Sequence, residues 1–149
     1  MFRGINPLSL DAKGRLSIPS KYRLRLQQQC EGQLMMTIDP DGCLLIYPLP
    51  VWEEVEIKIL NLSSTNPKAK ALKRLLIGYA ENCTMDGNGR ILVSGPLRDY
   101  AKLDKRVALI GQGEKFELWN EQTWHVLRDD MIALQKTDAG QVELASLSF

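Results

Sequence analysis

A ten-residue pattern occurs twice in this chain, and it limits the possible folds more than any other feature. Leu10-Asp11-Ala12-Lys13-Gly14-Arg15-Leu16-Ser17-Ile18-Pro19 aligns with Met85-Asp86-Gly87-Asn88-Gly89-Arg90-Ile91-Leu92-Val93-Ser94. Asp, Gly and Arg coincide, as do the flanking apolar residues, and Arg23 then matches Arg98. Further on, Leu44-Leu45-Ile46-Tyr47 matches Phe116-Glu117-Leu118-Trp119, and Trp52 matches Trp124. Two copies are too few for a solenoid. They suit a pseudo-twofold unit in which each half completes the other's core.

Each copy reads as a short strand (Ile5–Leu10; Glu81–Met85) that enters a turn. Aspartate at a turn start hydrogen-bonds its own backbone, and glycine takes positive φ without a Cβ clash. This gives Asp11, Gly14, Asp86, Gly89 and Arg90 a structural role. A second strand (Arg15–Ile18; Arg90–Val93) leads to a short helix with proline near its start, Pro19 or Pro96. Two strands finish each copy, Gln33–Ile38 with Cys43–Tyr47 and Val107–Ile110 with Phe116–Trp119. Asp39–Gly42 and Gly111–Gly113 supply the hairpin loops.

Helical periodicity follows each copy. Pro50–Leu62 places Trp52, Val55 and Ile59 on one face, and Pro67–Tyr79 gathers Leu72, Leu75, Leu76 and Tyr79 opposite Lys70, Lys73 and Arg74. Asn120 reads as the N-cap of a helix over Glu121–Lys136 with Trp124, Leu127, Met131 and Leu134 aligned. Such stripes are core or subunit interface more often than cofactor sites. From Thr137 onward no period is legible, and a mobile tail is expected. The fold class is α+β and rich in strand. The expected divisions are 5–51 for the first unit, 52–79 for connecting helices, 80–123 for the second unit, and 124–149 for the last helix and tail.

Composition narrows the chemistry. Three cysteines, Cys30, Cys43 and Cys83, and the single His125 make a metal site of ordinary ligand number hard to assemble. Reduced thiols in a cytoplasmic protein are expected. No apolar run approaches the roughly 20 residues of a membrane helix, and the first residues lack a signal-peptide core. His125 has no convincing nucleophile partner and is more simply a structural residue. Gly111-Gln112-Gly113 lacks a third glycine at dinucleotide spacing. Catalysis, a metal, a cofactor and a small-molecule substrate are therefore not expected.

The charge distribution is more telling than the net +1. Residues 1–27 carry Arg3, Lys13, Arg15, Lys21, Arg23 and Arg25 against Asp11 alone, a surplus of five positive charges. Residues 128–149 carry a net −2, from Arg128 and Lys136 against Asp129, Asp130, Asp138 and Glu143. A neutral chain with one basic end suggests a localised polyanion surface. Arg15 and Arg90 have two readings, as braces for Asp11 and Asp86 or as forks for phosphate and guanine. The first turn adds Lys13 where the second has Asn88, so it is the better candidate to read nucleic acid. Arg15 and Lys13 are expected at base edges, and Arg3 and Lys21 at phosphates.

The opening Met-Phe-Arg-Gly, the Asp11–Arg15 stretch with its flanks, Leu-Ile-Tyr-Pro-Leu-Pro-Val-Trp-Glu, and Met-Asp-Gly-Asn-Gly-Arg together resemble the MraZ family of bacterial transcriptional regulators. The likeness runs from residue 1 to about residue 130; the Asp39–Gly42 loop is slightly short, and the tail is the chain's own. The resemblance implies two tandem SpoVT/AbrB-like units forming one barrel, and a ring-shaped homo-oligomer in the cytoplasm, associated with the nucleoid. It further implies binding to double-stranded DNA at direct repeats of a G-containing promoter element, repressing the chain's own gene and the division and cell-wall cluster. The family's Asp-x-x-x-Arg motif falls on Asp11–Arg15 and Asp86–Arg90. A non-regulatory oligomeric scaffold or interaction protein is the alternative.

Overall fold

A computed structural model describes residues 1–148. The chain runs β1 (Phe2–Ser9), β2 (Arg15–Ser17), α1 (Ser20–Cys30), β3 (Gln33–Ile38), β4 (Leu44–Pro48), α2 (Leu49–Leu60) and α3 (Pro67–Gly78). It continues with β5 (Glu81–Thr84), β6 (Arg90–Leu92), α4 (Gly95–Tyr100), β7 (Arg106–Gly113), β8 (Phe116–Asn120), α5 (Glu121–Gln135) and α6 (Asp138–Ser146). Six strands form one sheet in the order β1-β7-β8-β4-β3-β5, and β2 pairs with β6 in a separate two-stranded ribbon. The structure is mixed α+β, as expected. As paired, the main sheet is open, with β1 and β5 at its edges, and is not closed into a barrel.

Side chains alternate across a strand. Leu34, Met36, Ile38, Leu44, Ile46, Leu109, Phe116 and Leu118 therefore fill one core together with Leu16, Ile18, Ile91 and Val93. Met35, Leu45, Tyr47, Ala108 and Trp119 fill a second core, on the opposite face, with Trp52, Ile59 and Trp124. Because both faces are covered, β4 is buried along its whole length and reads as an unbroken apolar run. The ribbon, α1 and α4 lie over the first face, and α1 presents Tyr22, Leu26 and Cys30 to it at four-residue spacing. Trp52 and Trp124, equivalent in the repeat, bury themselves in the second core from α2 and α5.

The ribbon ties the halves together. Leu16 faces Ile91 in antiparallel register, and both are buried. Ile18 N donates to Gly89 O (2.8 Å), and Val93 N donates to Gly14 O (2.9 Å). Each repeat's second strand is thus anchored on the other repeat's turn glycine.

The structure departs from expectation at Gly111–Gly113 and in the tail, and adds detail at α4 and α5. The loop assigned to Gly111–Gly113 is strand, and the turn falls at Glu114-Lys115. The cause lies outside the hairpin: β1 pairs along the whole of β7, from Phe2↔Gly113 to Ser9↔Arg106, and keeps both glycines in the ladder, with Gly113 at φ +82°. A Cβ at Gly111 would fall 2.7 Å from Arg3 Cα, so this crossing requires glycine. The second helix of the repeat is shorter than the first, six residues in α4 against eleven in α1. The aligned α5 stripe is buried only at Trp124, while Met131 and Leu134 are 36% and 60% exposed. The expected mobile tail contains α6, capped by Thr137, whose hydroxyl accepts from Gly140 N (3.2 Å).

Candidate nucleic-acid interface

The first turn is built around one carboxylate. Asp11 Oδ1 accepts from Lys13 N and Arg15 N, both at 2.9 Å, and Oδ2 accepts from Arg15 Nε at 2.7 Å. Gly14 N closes the loop onto Asp11 O (3.0 Å) with φ +82°, which glycine adopts freely. The second turn repeats this arrangement. Asp86 Oδ1 accepts from Asn88 N (2.8 Å) and Arg90 N (2.9 Å), Oδ2 accepts from Arg90 Nε (3.1 Å), and Gly89 has φ +75°. The Arg15 backbone N–H, together with its side chain and the Lys13 N–H, holds the Asp11 carboxyl below the ordinary aspartate range. The Arg90 backbone N–H, helped by the Asn88 N–H and the Arg90 side chain, does the same for Asp86.

This bonding leaves the arginine forks available. Each Nε is engaged by its aspartate, and among the described residues neither Arg15 nor Arg90 hydrogen-bonds through Nη1 or Nη2. Those two nitrogens carry the parallel donors that match a phosphate or the O6/N7 edge of guanine. Both side chains are 31% exposed. In the ribbon Arg15 stands opposite Leu92 and Ser17 opposite Arg90, with Leu16 and Ile91 buried between them. Alternation therefore puts the two arginines on the same outer face of one ribbon.

The turns thus match in geometry and differ in charge. Lys13 is exposed on the first; Asn88 occupies its place on the second. The other two expected basic residues lie elsewhere. Arg3 is in β1, and about six residues of extended strand, roughly 20 Å, separate it from the start of the turn. Arg3 precedes Lys13 by only ten positions in the sequence, but the strand carries it away from the turn. Instead Arg3 groups with Lys21: Tyr22 OH donates to Arg3 O (2.5 Å), and Lys21 Nζ lies 5.0 Å from the Tyr22 ring centre. Arg25, not singled out from sequence, joins this group; its Nη1 donates to Met1 O (2.8 Å) and its guanidinium stacks 4.5 Å from the Phe2 ring. The basic end is therefore two clusters, one at each end of β1.

The remaining chemistry-bearing groups offer little. Cys30, Cys43 and Cys83 are buried free thiols; burial pushes Cys43 far up and Cys83 up to about 12. His125 is exposed on α5, not packed as a structural histidine. Among the described residues, no group of three or more His, Cys, Asp or Glu side chains could hold a metal ion. Among the same residues, no helix is long and apolar enough to cross a membrane.

Comparison with known proteins follows the same division of the chain. A family model described as "MraZ protein, putative antitoxin-like" matches residues 1–75 and again residues 76–143. The chain is 57% identical over 145 residues to the transcriptional regulator MraZ of Halorhodospira halophila, covering 97% of this chain and 94% of the relative. It is 55% identical over 130 residues to that of Thioalkalivibrio sulfidiphilus, covering 87% of each. With that of Methylococcus capsulatus it is 48% identical over 152 residues, covering 100% of both.

Proposed function

Since this chain belongs to the MraZ family, we propose that it is a sequence-specific DNA-binding transcriptional regulator acting in the cytoplasm on the nucleoid. It represses its own gene and the division and cell-wall cluster, and it binds direct repeats of a G-containing promoter element as a ring of identical subunits. Residues 5–51 and 80–123 form two SpoVT/AbrB-like units, joined by the helices of 52–79 and followed by the last helix and tail, 124–149. In this reading the ribbon β2–β6, whose strands follow the edge strands β1 and β5 in the chain, completes the barrel.

The observation that carries this reading is the pair of aspartate-oriented arginine forks on one face of the ribbon, the first with Lys13 beside it. Arg15 and Lys13 read base edges, while Arg3 and Lys21 hold backbone phosphate farther along the duplex. A single turn offers little affinity, and several copies in a ring bound to adjacent repeats raise it by avidity. Mobility shift on DNA upstream of the chain's own gene tests the assignment. Arg15→Ala should lower specific affinity by about tenfold or more, since a bidentate arginine–guanine contact discriminates by about 1–3 kcal/mol, with fold and oligomer unchanged. Undiminished operator binding by that variant would remove the assignment.

A second reading, an assembly or interaction scaffold, draws on the apolar residues that α5 and α6 leave in solvent, such as Ile132 and Val142 at 50% and 70% exposure. A scaffold without a DNA site shows no steep loss of DNA affinity as salt rises.

A further inference from the structure

The two repeats exchange more than backbone bonds. A Cβ placed on Gly14 would lie 2.9 Å from Arg98 Cζ and 3.0 Å from both its Nε and Nη1. Near-equal distances to three atoms of one plane mean that the guanidinium lies face-on against the glycine. On the other side of the pseudo-twofold axis, Arg23 covers Gly89 from the Nε end of its guanidinium, with Nε nearest and Cδ and Cζ 2.6 and 2.8 Å from the corresponding position. Each turn therefore rests on an arginine supplied by the other repeat, which occupies the space a side chain on the turn glycine would need.

The two struts differ in one respect. Arg23 Nε donates to Ile18 O (2.7 Å) and is tied to its own strand. Arg98 Nε is buried and has no hydrogen-bond partner among the described residues. A buried donor without a partner is destabilising. Arg98 nevertheless occupies this place, bordering a hollow of about 530 Å³ lined also by Asp11, Ala12 and Lys105. Its position is explained by what it covers, the Gly14 backbone of the turn that carries Lys13 and Arg15.

We infer that Arg98, from the second repeat, is a positioning residue for the DNA contact of the first turn. It fixes the height of the Lys13–Arg15 backbone above the ribbon, and with it the direction of the Arg15 fork. A planar group packed against a glycine does this by shape, so lysine, which keeps the charge but not the plane, does not replace it. The inference rests on the DNA-binding reading for its consequence, but not for its geometry.

Two measurements on the full chain test it, with Arg98→Met, Arg98→Lys and Arg23→Met, all checked for unchanged oligomer size. The first is amide hydrogen exchange without DNA. Both Arg98 variants should speed exchange at Lys13, Gly14 and Arg15 by about tenfold through local opening, and leave Asn88–Arg90 unchanged; Arg23→Met should do the reverse. The second compares binding to a duplex from upstream of the chain's own gene with binding to a scrambled duplex, across salt. Both Arg98 variants should lose about tenfold in the specific-to-scrambled ratio with the salt slope unchanged, because no phosphate contact is removed. Unchanged exchange at the first turn, full rescue by Arg98→Lys, or a salt slope lower by about one unit would each overturn the assignment. If the unaltered chain does not distinguish the two duplexes, the DNA-binding reading fails, while the exchange result still decides whether Arg98 is a strut.

Discussion

At the scale of single residues, Asp11 and Asp86 do most with least. Each carboxylate takes two backbone N–H groups and one arginine Nε, setting the turn and the fork together. Both carboxyls are held below the ordinary aspartate range, chiefly by the backbone N–H of Arg15 or Arg90. A carboxyl whose folded value is depressed contributes stability that is complete above the unfolded value of about 3.9 and is lost as pH falls through the lower folded value. Carboxyl-carbon NMR titration should therefore give midpoints for Asp11 and Asp86 below that of an aspartate in an unfolded peptide. Midpoints at or above the peptide value would show that these bonds are not held in solution. The Asp and Gly roles were readable in the sequence because turn chemistry is local. The Arg98–Gly14 contact was not, since its members are 84 positions apart in the chain and only the repeat alignment, Arg23 with Arg98, hinted at it.

At the scale of elements, periodicity located most helices and strands but not how deeply each is buried. The α2 stripe of Trp52, Val55 and Ile59 does pack inward, with Trp52 1% exposed. The α5 stripe was read by the same rule, yet only Trp124 and the partly buried Leu127 pack against the core, and Leu134 extends beyond them into solvent. A heptad-like spacing records which residues share a side, not whether a neighbour covers that side. Trp52→Ala should cost about 3–5 kcal/mol in chemical unfolding, the range for a large buried aromatic, whereas Leu134→Ala should fall within about 0.5 kcal/mol. A large loss at Leu134 would mean that the end of α5 is covered in the assembled protein. The β7 boundary was misread for a related reason. Gly111 and Gly113 have turn chemistry, and the partner that holds them in the sheet, β1, lies about a hundred residues earlier in the chain.

At the scale of the whole molecule, the basic surplus of residues 1–27 resolves into two separated patches. Lys13 and Arg15 stand at one end of β1, and Arg3, Lys21 and Arg25 at the other. If both patches meet one duplex, each cation that neutralises a phosphate adds about 0.9 to the salt slope of binding. Arg3→Gln and Lys21→Gln should each lower that slope by about one unit and weaken operator and scrambled DNA alike, while Arg15→Ala should chiefly reduce the difference between the two. Slopes unaffected by Arg3→Gln and Lys21→Gln would confine the interface to the ribbon.

The pairing of Phe2 with Gly113 also has a consequence in time. The ribosome releases β1 first, but β1 has no hydrogen-bonded neighbour in the main sheet until β7 emerges. Val93 and Arg98, which brace the first turn at Gly14, likewise arrive after α3. Pairings so distant along the chain form slowly, because a long loop must close before any contact offsets its lost entropy. A nascent chain that ends before Val93 and Arg98 therefore carries the basic turn but not its supports. The molecule becomes competent late in its own synthesis and in one step, when its second half reaches back to its first strand.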